Sequence, residues 1–243
     1  MSRMSRTIAL NVVLILATAS AARAQTSTVP ERPIFANLDI GGQVTTSSFS
    51  GSSTTPVFNE NATINLNQNV GKGFFWGVRG GYLFNSHIGA AVGVWGSSGK
   101  GDATIVASIP DPLVTGKFKT VTVTGTDLKQ TNVGVDFQLV WTRPITDRIQ
   151  VSVFGGPTII HVSQDVGTIA VASGGQTASA SSERQSATTG KAGNIGVDGI
   201  FEVTKRFGLG AFVSYAGGKA DLPSASSVTV GGVHIGGRLQ MWF

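Results

Sequence analysis

The 243-residue chain has no cysteine, which excludes a disulfide scaffold and any thiolate-ligated zinc site. Charge is scarce as well: 13% of residues are Asp, Glu, Lys or Arg, about half the share of an average soluble domain. Glu, Lys and Leu are too few for a coiled coil. Basic runs are missing despite a pI near 9.8 and a formal net charge of +5, so nucleic acid is not expected as a partner. Beyond residue 24 no apolar run reaches the ~18 residues that mark a membrane helix. What is abundant is glycine, 33 residues, roughly twice the average share. Hydrophobic residues reach 41%, too many for a disordered chain.

Residues 1–24 read as a secretory signal peptide. Arg3 and Arg6 form a short basic region, Ile8 to Ala22 an apolar stretch, and Ala22-Arg23-Ala24 an A-x-A cleavage site. Cleavage after Ala24 exports the remainder and removes three arginines, leaving 15 basic against 13 acidic side chains. Gln25 to Pro33 is expected to be a flexible N-terminal segment, and 34–243 a single domain.

That domain alternates with period two, as strands do when one face meets lipid and the other a polar lumen. In the last segment Val233, Ile235, Gly237, Leu239, Met241 and Phe243 share one face; His234, Gly236, Arg238, Gln240 and Trp242 share the other. The segments 194–203, 207–216 and 132–141 repeat the pattern, and four more fit around 34–48, 72–84, 86–99 and 148–166. Three connections are short, at Asn85-Ser86, Pro144 to Asp147 and Lys205-Arg206. Four are long and rich in Ser, Thr and Gly, at about 49–71, 100–130, 167–191 and 217–228. Short turns on one side and long loops on the other predict an all-β fold: an eight-stranded antiparallel transmembrane up-and-down β-barrel. Tyr82, Phe84, Trp141, Phe207, Trp242 and Phe243 cluster near the short-turn end and are expected to form an aromatic girdle at the water–lipid interface.

With its leader, its alternation and the last segment Val233-x-Ile235-x-Gly237-x-Leu239-x-Met241-x-Phe243, the chain resembles the small OmpA/OmpX-type outer-membrane β-barrel proteins. The resemblance spans 34–243 and implies residence in the outer membrane, next to its lipid and lipopolysaccharide. It also implies that Leu239, Met241 and Phe243 form a C-terminal assembly signal read by the barrel-assembly machinery. Met241 stands where that family often has Tyr.

On the alternation, Asp39, Arg79, Asp136, Asp198, Glu202 and Arg238 all point inward, sparing the roughly 2–4 kcal/mol that a lipid-facing Arg or Lys costs at the midplane. They are expected to form a lumenal salt-bridge network, because buried charges persist when paired. An eight-stranded barrel is just wide enough for side chains to fill. The expected role is therefore a plugged, non-enzymatic structural or surface barrel; a narrow pore lined by the same charges is the alternative. Small inward residues such as Gly77, Gly93, Gly134 and Gly196 make room for Phe75, Trp95, Phe154 and Phe212.

No cofactor is implied. His87, His161 and His234 lie on different strands without metal-ligand spacing. His161-x-Ser163 matches the pair used by lipid A deacylases, which are similar barrels, but no acid stands at the matching position to orient the base. Pro157 just below predicts a bulge that turns His161 inward. Among the loop lysines Lys100, Lys117, Lys119, Lys129, Lys191 and Lys219, with Lys72 nearby, contact with lipopolysaccharide phosphates competes with ordinary solvation.

Overall fold

The computed structural model describes residues 31–57, 60–111, 113–171, 178–189, 191–222 and 225–243; the expected leader and most of 25–33 lie outside them. Ten strands are described: β1 (Ile34–Gln43), β2 (Ser47–Val57), β3 (Glu60–Leu83), β4 (Ile88–Pro110), β5 (Phe118–Pro144), β6 (Ile149–Val171), β7 (Ala178–Thr188), β8 (Lys191–Thr204), β9 (Phe207–Leu222) and β10 (Ala225–Trp242). Eight of them form a ring. In the order β1, β3, β4, β5, β6, β8, β9, β10 each pairs antiparallel with the next. The ring closes where β1 meets β10, from Phe35 opposite Trp242 to Gln43 opposite His234. Closure leaves no free edge inside the bilayer, where an unpaired backbone group has no water to turn to.

The remaining two strands correct the sequence reading. The stretches expected as loops are largely paired. β2 lies along the upper part of β3, β7 along the upper part of β6, and β4 and β5 stay paired out to Pro110 opposite Phe118. Strands that leave the ring already in register offer the chain its next hydrogen-bond partners, and Thr, Val and Ile suit that pleat. Ala103, Ile105, Ala107 and Ile109 are buried there, so the extension has an apolar interior of its own.

The short turns share one device. Asn85 Oδ1 accepts hydrogen bonds from the backbone N–H of His87 and of Ile88, both at 2.8 Å. Thr146 Oγ1 accepts from Arg148 (3.3 Å) and Ile149 (3.0 Å), and Thr204 Oγ1 from Arg206 (3.3 Å) and Phe207 (3.1 Å). In each, the side chain takes up donors that the reversing backbone leaves unpaired.

Alternation then sorts the faces. Outward stand Leu38, Ile40, Phe74, Trp76, Val78, Val92, Phe137, Leu139, Ile195, Val213 and Ile235, all exposed as side chains facing hydrocarbon are. Inward lie two apolar layers. Phe35, Leu83, Ala91, Val140, Phe154, Ile200 and Trp242 pack at the short-turn end. Phe75, Trp95, Ile160, Val162, Phe212, Ala216, Ala220 and Val230 pack toward the long-hairpin end.

Candidate functional site in the barrel lumen

Between the two apolar layers lies a layer of charge. Arg238 on β10 faces Asp39 on β1 across the closing seam. Its Nε donates to Asp39 Oδ1 and its Nη2 to Oδ2, each at 2.6 Å, the forked geometry that a guanidinium makes with a carboxylate. Its Nη1 donates to Asp198 Oδ2 on β8. Arg79 on β3 shares that same oxygen at 3.2 Å and donates through Nη1 to Gln138 Oε1 at 2.9 Å. The guanidinium of Arg79 also lies over the Phe154 ring at 4.2 Å, and that of Arg238 lies 5.1 Å from both Phe154 and Phe212. Arg238 is 3% exposed and Asp198 2%. At that depth each charge depends on its partners, because removal from water costs several kcal/mol per ion.

Neutral polar side chains extend the layer around the ring. Gln138 Nε2 donates to Asp136 Oδ2 (3.1 Å) and to Asn194 Oδ1 (2.8 Å). Asp136 Oδ1 accepts from Thr158 Oγ1 (2.7 Å) and Trp95 Nε1 (3.0 Å). With its amide oxygen turned toward Arg79, Asn37 accepts from Nη2 at 2.8 Å while its nitrogen donates to Gln240 at 3.1 Å. Sequence reasoning from charge alone passed over Asn37, Gln138, Thr158, Asn194 and Gln240. The available signal was parity, since each lies an even number of positions from an inward charge on its own strand or is itself an inward-facing polar residue.

Five of the six predicted lumenal charges thus meet in the interior, and they do so in two ways. Asp39, Asp198, Arg79 and Arg238 are ion-paired. Asp136 is instead held by hydrogen bonds from neutral donors. Glu202 stands apart: it is half-buried and lines a separate 440 Å³ hollow at the short-turn mouth with Glu31, Arg148, Lys205 and Trp242. Among the described residues it makes no ion pair. The reason is height, since Glu202 sits four residues nearer the turn than Asp198, below the arginines. The cavity left among Asp39, Arg79, Asp136 and Arg238 is about 30 Å³, room for about one or two water molecules.

Tyr82, Phe84, Trp141, Phe207 and Phe243 are exposed on the outward face near the short turns, with the Tyr82 and Phe84 rings 5.9 Å apart. Trp242 is not among them. It is buried in the lower lumenal layer, because period two puts it on the face opposite Met241 and Phe243. Leu239 and Met241 share the outward face of β10, and Phe243 continues it one residue past the strand's end.

The expected bulge at Pro157 is also absent. Pro157 pairs with Gly193 in an unbroken β6–β8 ladder. On the β5 side its position falls in a gap between the Asp136–Thr158 and Leu139–Gly155 pairs, so its missing N–H interrupts no register. Phase is kept and His161 faces outward, exposed. Its Nδ1 lies 3.0 Å from Thr188 Oγ1, and Ser163 Oγ lies 3.2 Å from Ser186 Oγ. Each is engaged with β7. Asp165, two residues on, pairs with Arg184 at 3.5 Å.

A closed, eight-stranded, apolar-skinned ring with a charged interior defines a membrane-spanning β-barrel. The chain belongs to the outer membrane protein beta-barrel domain family, whose model matches residues 11–171, and its place is accordingly the outer membrane. The chain matches no curated protein. Solved structures similar to it include Neisserial surface protein A (14% identity, TM-score 0.45, covering 86% of this chain and 97% of that one). The N-terminal β-barrel domain of Pseudomonas aeruginosa OprF is also similar (9%, 0.34, 87% and 98%). So is Ail, the attachment invasion locus protein of Yersinia pestis, in complex with the heparin analogue sucrose octasulfate (16%, 0.35, 86% and 99%).

Proposed function

We propose that this protein is a non-enzymatic barrel with a structural or surface-interaction role, its lumen plugged by the Asp39–Arg238–Asp198–Arg79 layer. The observation that carries this reading is that layer's position, with apolar side chains packed above and below it and a cavity of only about 30 Å³ beside the charges. A conducting path needs continuous water, and two dry layers deny it. On this reading what the protein offers to its surroundings is the extension built by β2–β3, β4–β5 and β6–β7.

The route to the membrane belongs to the same proposal. Residues 1–24 are removed after Ala24. The barrel-assembly machinery reads Leu239, Met241 and Phe243 as the assembly signal, and the folded barrel then lies in lipopolysaccharide-bearing membrane. Conductance of the refolded barrel in a planar bilayer tests the plug: no resolvable current is expected. Stable, ion-selective openings in the wild type would establish a pore instead. Release of acyl chains from lipid A by the purified protein, abolished by Ser163→Ala, would overturn the non-enzymatic part.

A further inference from the structure

The hollow at the short-turn mouth takes no part in the lumenal layer, and its lining has the make-up of a small-molecule site, an apolar body with a few polar groups around it. It encloses about 440 Å³. Its floor is the lower apolar layer, reached through Leu83, Ile200 and Trp242. At 9% the indole of Trp242 is the most exposed member of that layer. At the rim Arg32 donates to Lys205 O and ties the start of the described chain to the β8–β9 turn. Short turns face the periplasm in barrels of this kind, so the hollow opens into that space and not toward lipid.

Six charged side chains line it, Glu31, Asp147 and Glu202 against Arg32, Arg148 and Lys205. Their charges cancel, yet among the described residues none of the six makes an ion pair. Glu202 and Arg148 show what this means. They stand opposite one another where β8 meets the turn before β6, with Glu202 N donating to Arg148 O at 2.7 Å. Side chains at such positions start about 5 Å apart, close enough to pair, but the carboxylate and the guanidinium stay separate. Glu202 is half-buried. Its carboxylate has lost part of its water without gaining a counter-charge, a cost that an incoming cation removes.

We propose that this hollow binds a zwitterionic amino acid or short peptide with an apolar side chain. The ammonium goes to Glu202, the carboxylate to Arg148 and the side chain onto the Trp242 floor. A lining of zero net charge gives no preference for a simple anion or cation, whereas separate opposite charges match a molecule that carries both. Arg148 offers a carboxylate the planar fork that an ammonium lacks. The proposal rests on the barrel itself and is independent of the lumenal plug, which lies beyond the apolar floor.

The test uses the whole mature barrel refolded in detergent micelles, with the indole N–H resonances of its four tryptophans followed by NMR and that of Trp242 assigned through Trp242→Phe. Leucine and leucyl-leucine are the probes. A saturable shift at Trp242 with Trp76 and Trp95 unmoved is expected, and the tighter probe tells a free amino acid from a peptide. Glu202→Gln and Arg148→Gln are each expected to weaken binding about tenfold. Arg143→Gln, at an exposed cation outside the hollow, is expected to leave it unchanged. Modified probes supply the other half of the comparison. N-acetyl-leucine lacks the ammonium, so Glu202→Gln costs it nothing and Arg148→Gln still weakens it; leucinamide lacks the carboxylate and gives the reverse. No saturable shift with either probe, a loss in Arg143→Gln equal to the other two, or weaker N-acetyl-leucine binding in Glu202→Gln would overturn the site. Heat-modifiable migration checks that each variant is folded. Should a variant fail to fold, wild type decides, since N-acetyl-leucine or leucinamide binding as tightly as leucine contradicts recognition by charge.

Discussion

Arg238 is the side chain on which most of the interior depends. It pairs with Asp39 and Asp198 at once, and truncation leaves Asp39 without a cation and Asp198 with Arg79 alone. Arg238→Ala is expected to destabilise the barrel by about 3–5 kcal/mol, the cost of orphaning a buried ion pair. Urea unfolding in lipid vesicles measures this, and a loss below ~1 kcal/mol would mean that water already reaches the layer. Arg238→Lys is expected to recover only part of the loss, because one ammonium cannot reproduce the Nε/Nη2 fork. Glycine sets a second test. A Cβ on Gly134 would meet the Trp95 indole at 2.2 Å, whereas one on Gly80 meets nothing within 4 Å. Gly134→Ala is therefore expected to cost about 1–3 kcal/mol by overpacking and to disturb the Trp95–Asp136 hydrogen bond. Gly80→Ala, on the outward face, is expected to leave the unfolding midpoint unchanged.

At the scale of elements, the long hairpins are additions to a ring that is complete without them. β1 pairs with β3 from Ile34–Tyr82 up to Gln43–Gly73, and only above that does β2 take over. Replacing 48–69 by a short turn is expected to leave a folded barrel by heat-modifiable migration; a shortened chain that stays unfolded would make the hairpin part of the fold's foundation. The same division explains what could be read from the residues. Ring strands alternate visibly because their two faces meet different media, as in Val133, Val135, Phe137 and Leu139 against Asn132, Gly134, Asp136 and Gln138. In the extension, Ser47 to Val57 is mostly Ser, Thr and Gly and carries no apolar–polar alternation, so it reads as loop. Pro157 misled because a proline in a strand suggests a break, whereas here it occupies a gap in one ladder only. The inward charges were legible from parity, but the split between ion-paired and neutral-bonded carboxylates was not. That split depends on heights set by stagger across strands far apart in sequence.

For the whole molecule, the prediction is electrical: a refolded wild-type barrel carries no resolvable current, and Arg238→Ala does not open one while both apolar layers persist. Openings in that variant alone would assign the seal to the charges and not to the apolar layers on either side. The seam where β1 meets β10 has a consequence of another kind. The Arg238–Asp39 pair joins positions 199 residues apart, and the backbone N–H of Phe243 donates to Ile34 O at 2.9 Å. No shorter-range contact can stand in for that closure, which carries the largest loop-entropy cost in the molecule and belongs to the slow, non-local class of folding events. Until the final strand arrives, the first strand has one unsatisfied edge and nothing with which to satisfy it. Folding is thereby tied to arrival of β10, and the kinetic signature is a single late step that gathers no native protection at Leu38 or Ile40, whose N–H groups face β10, until that strand is in place.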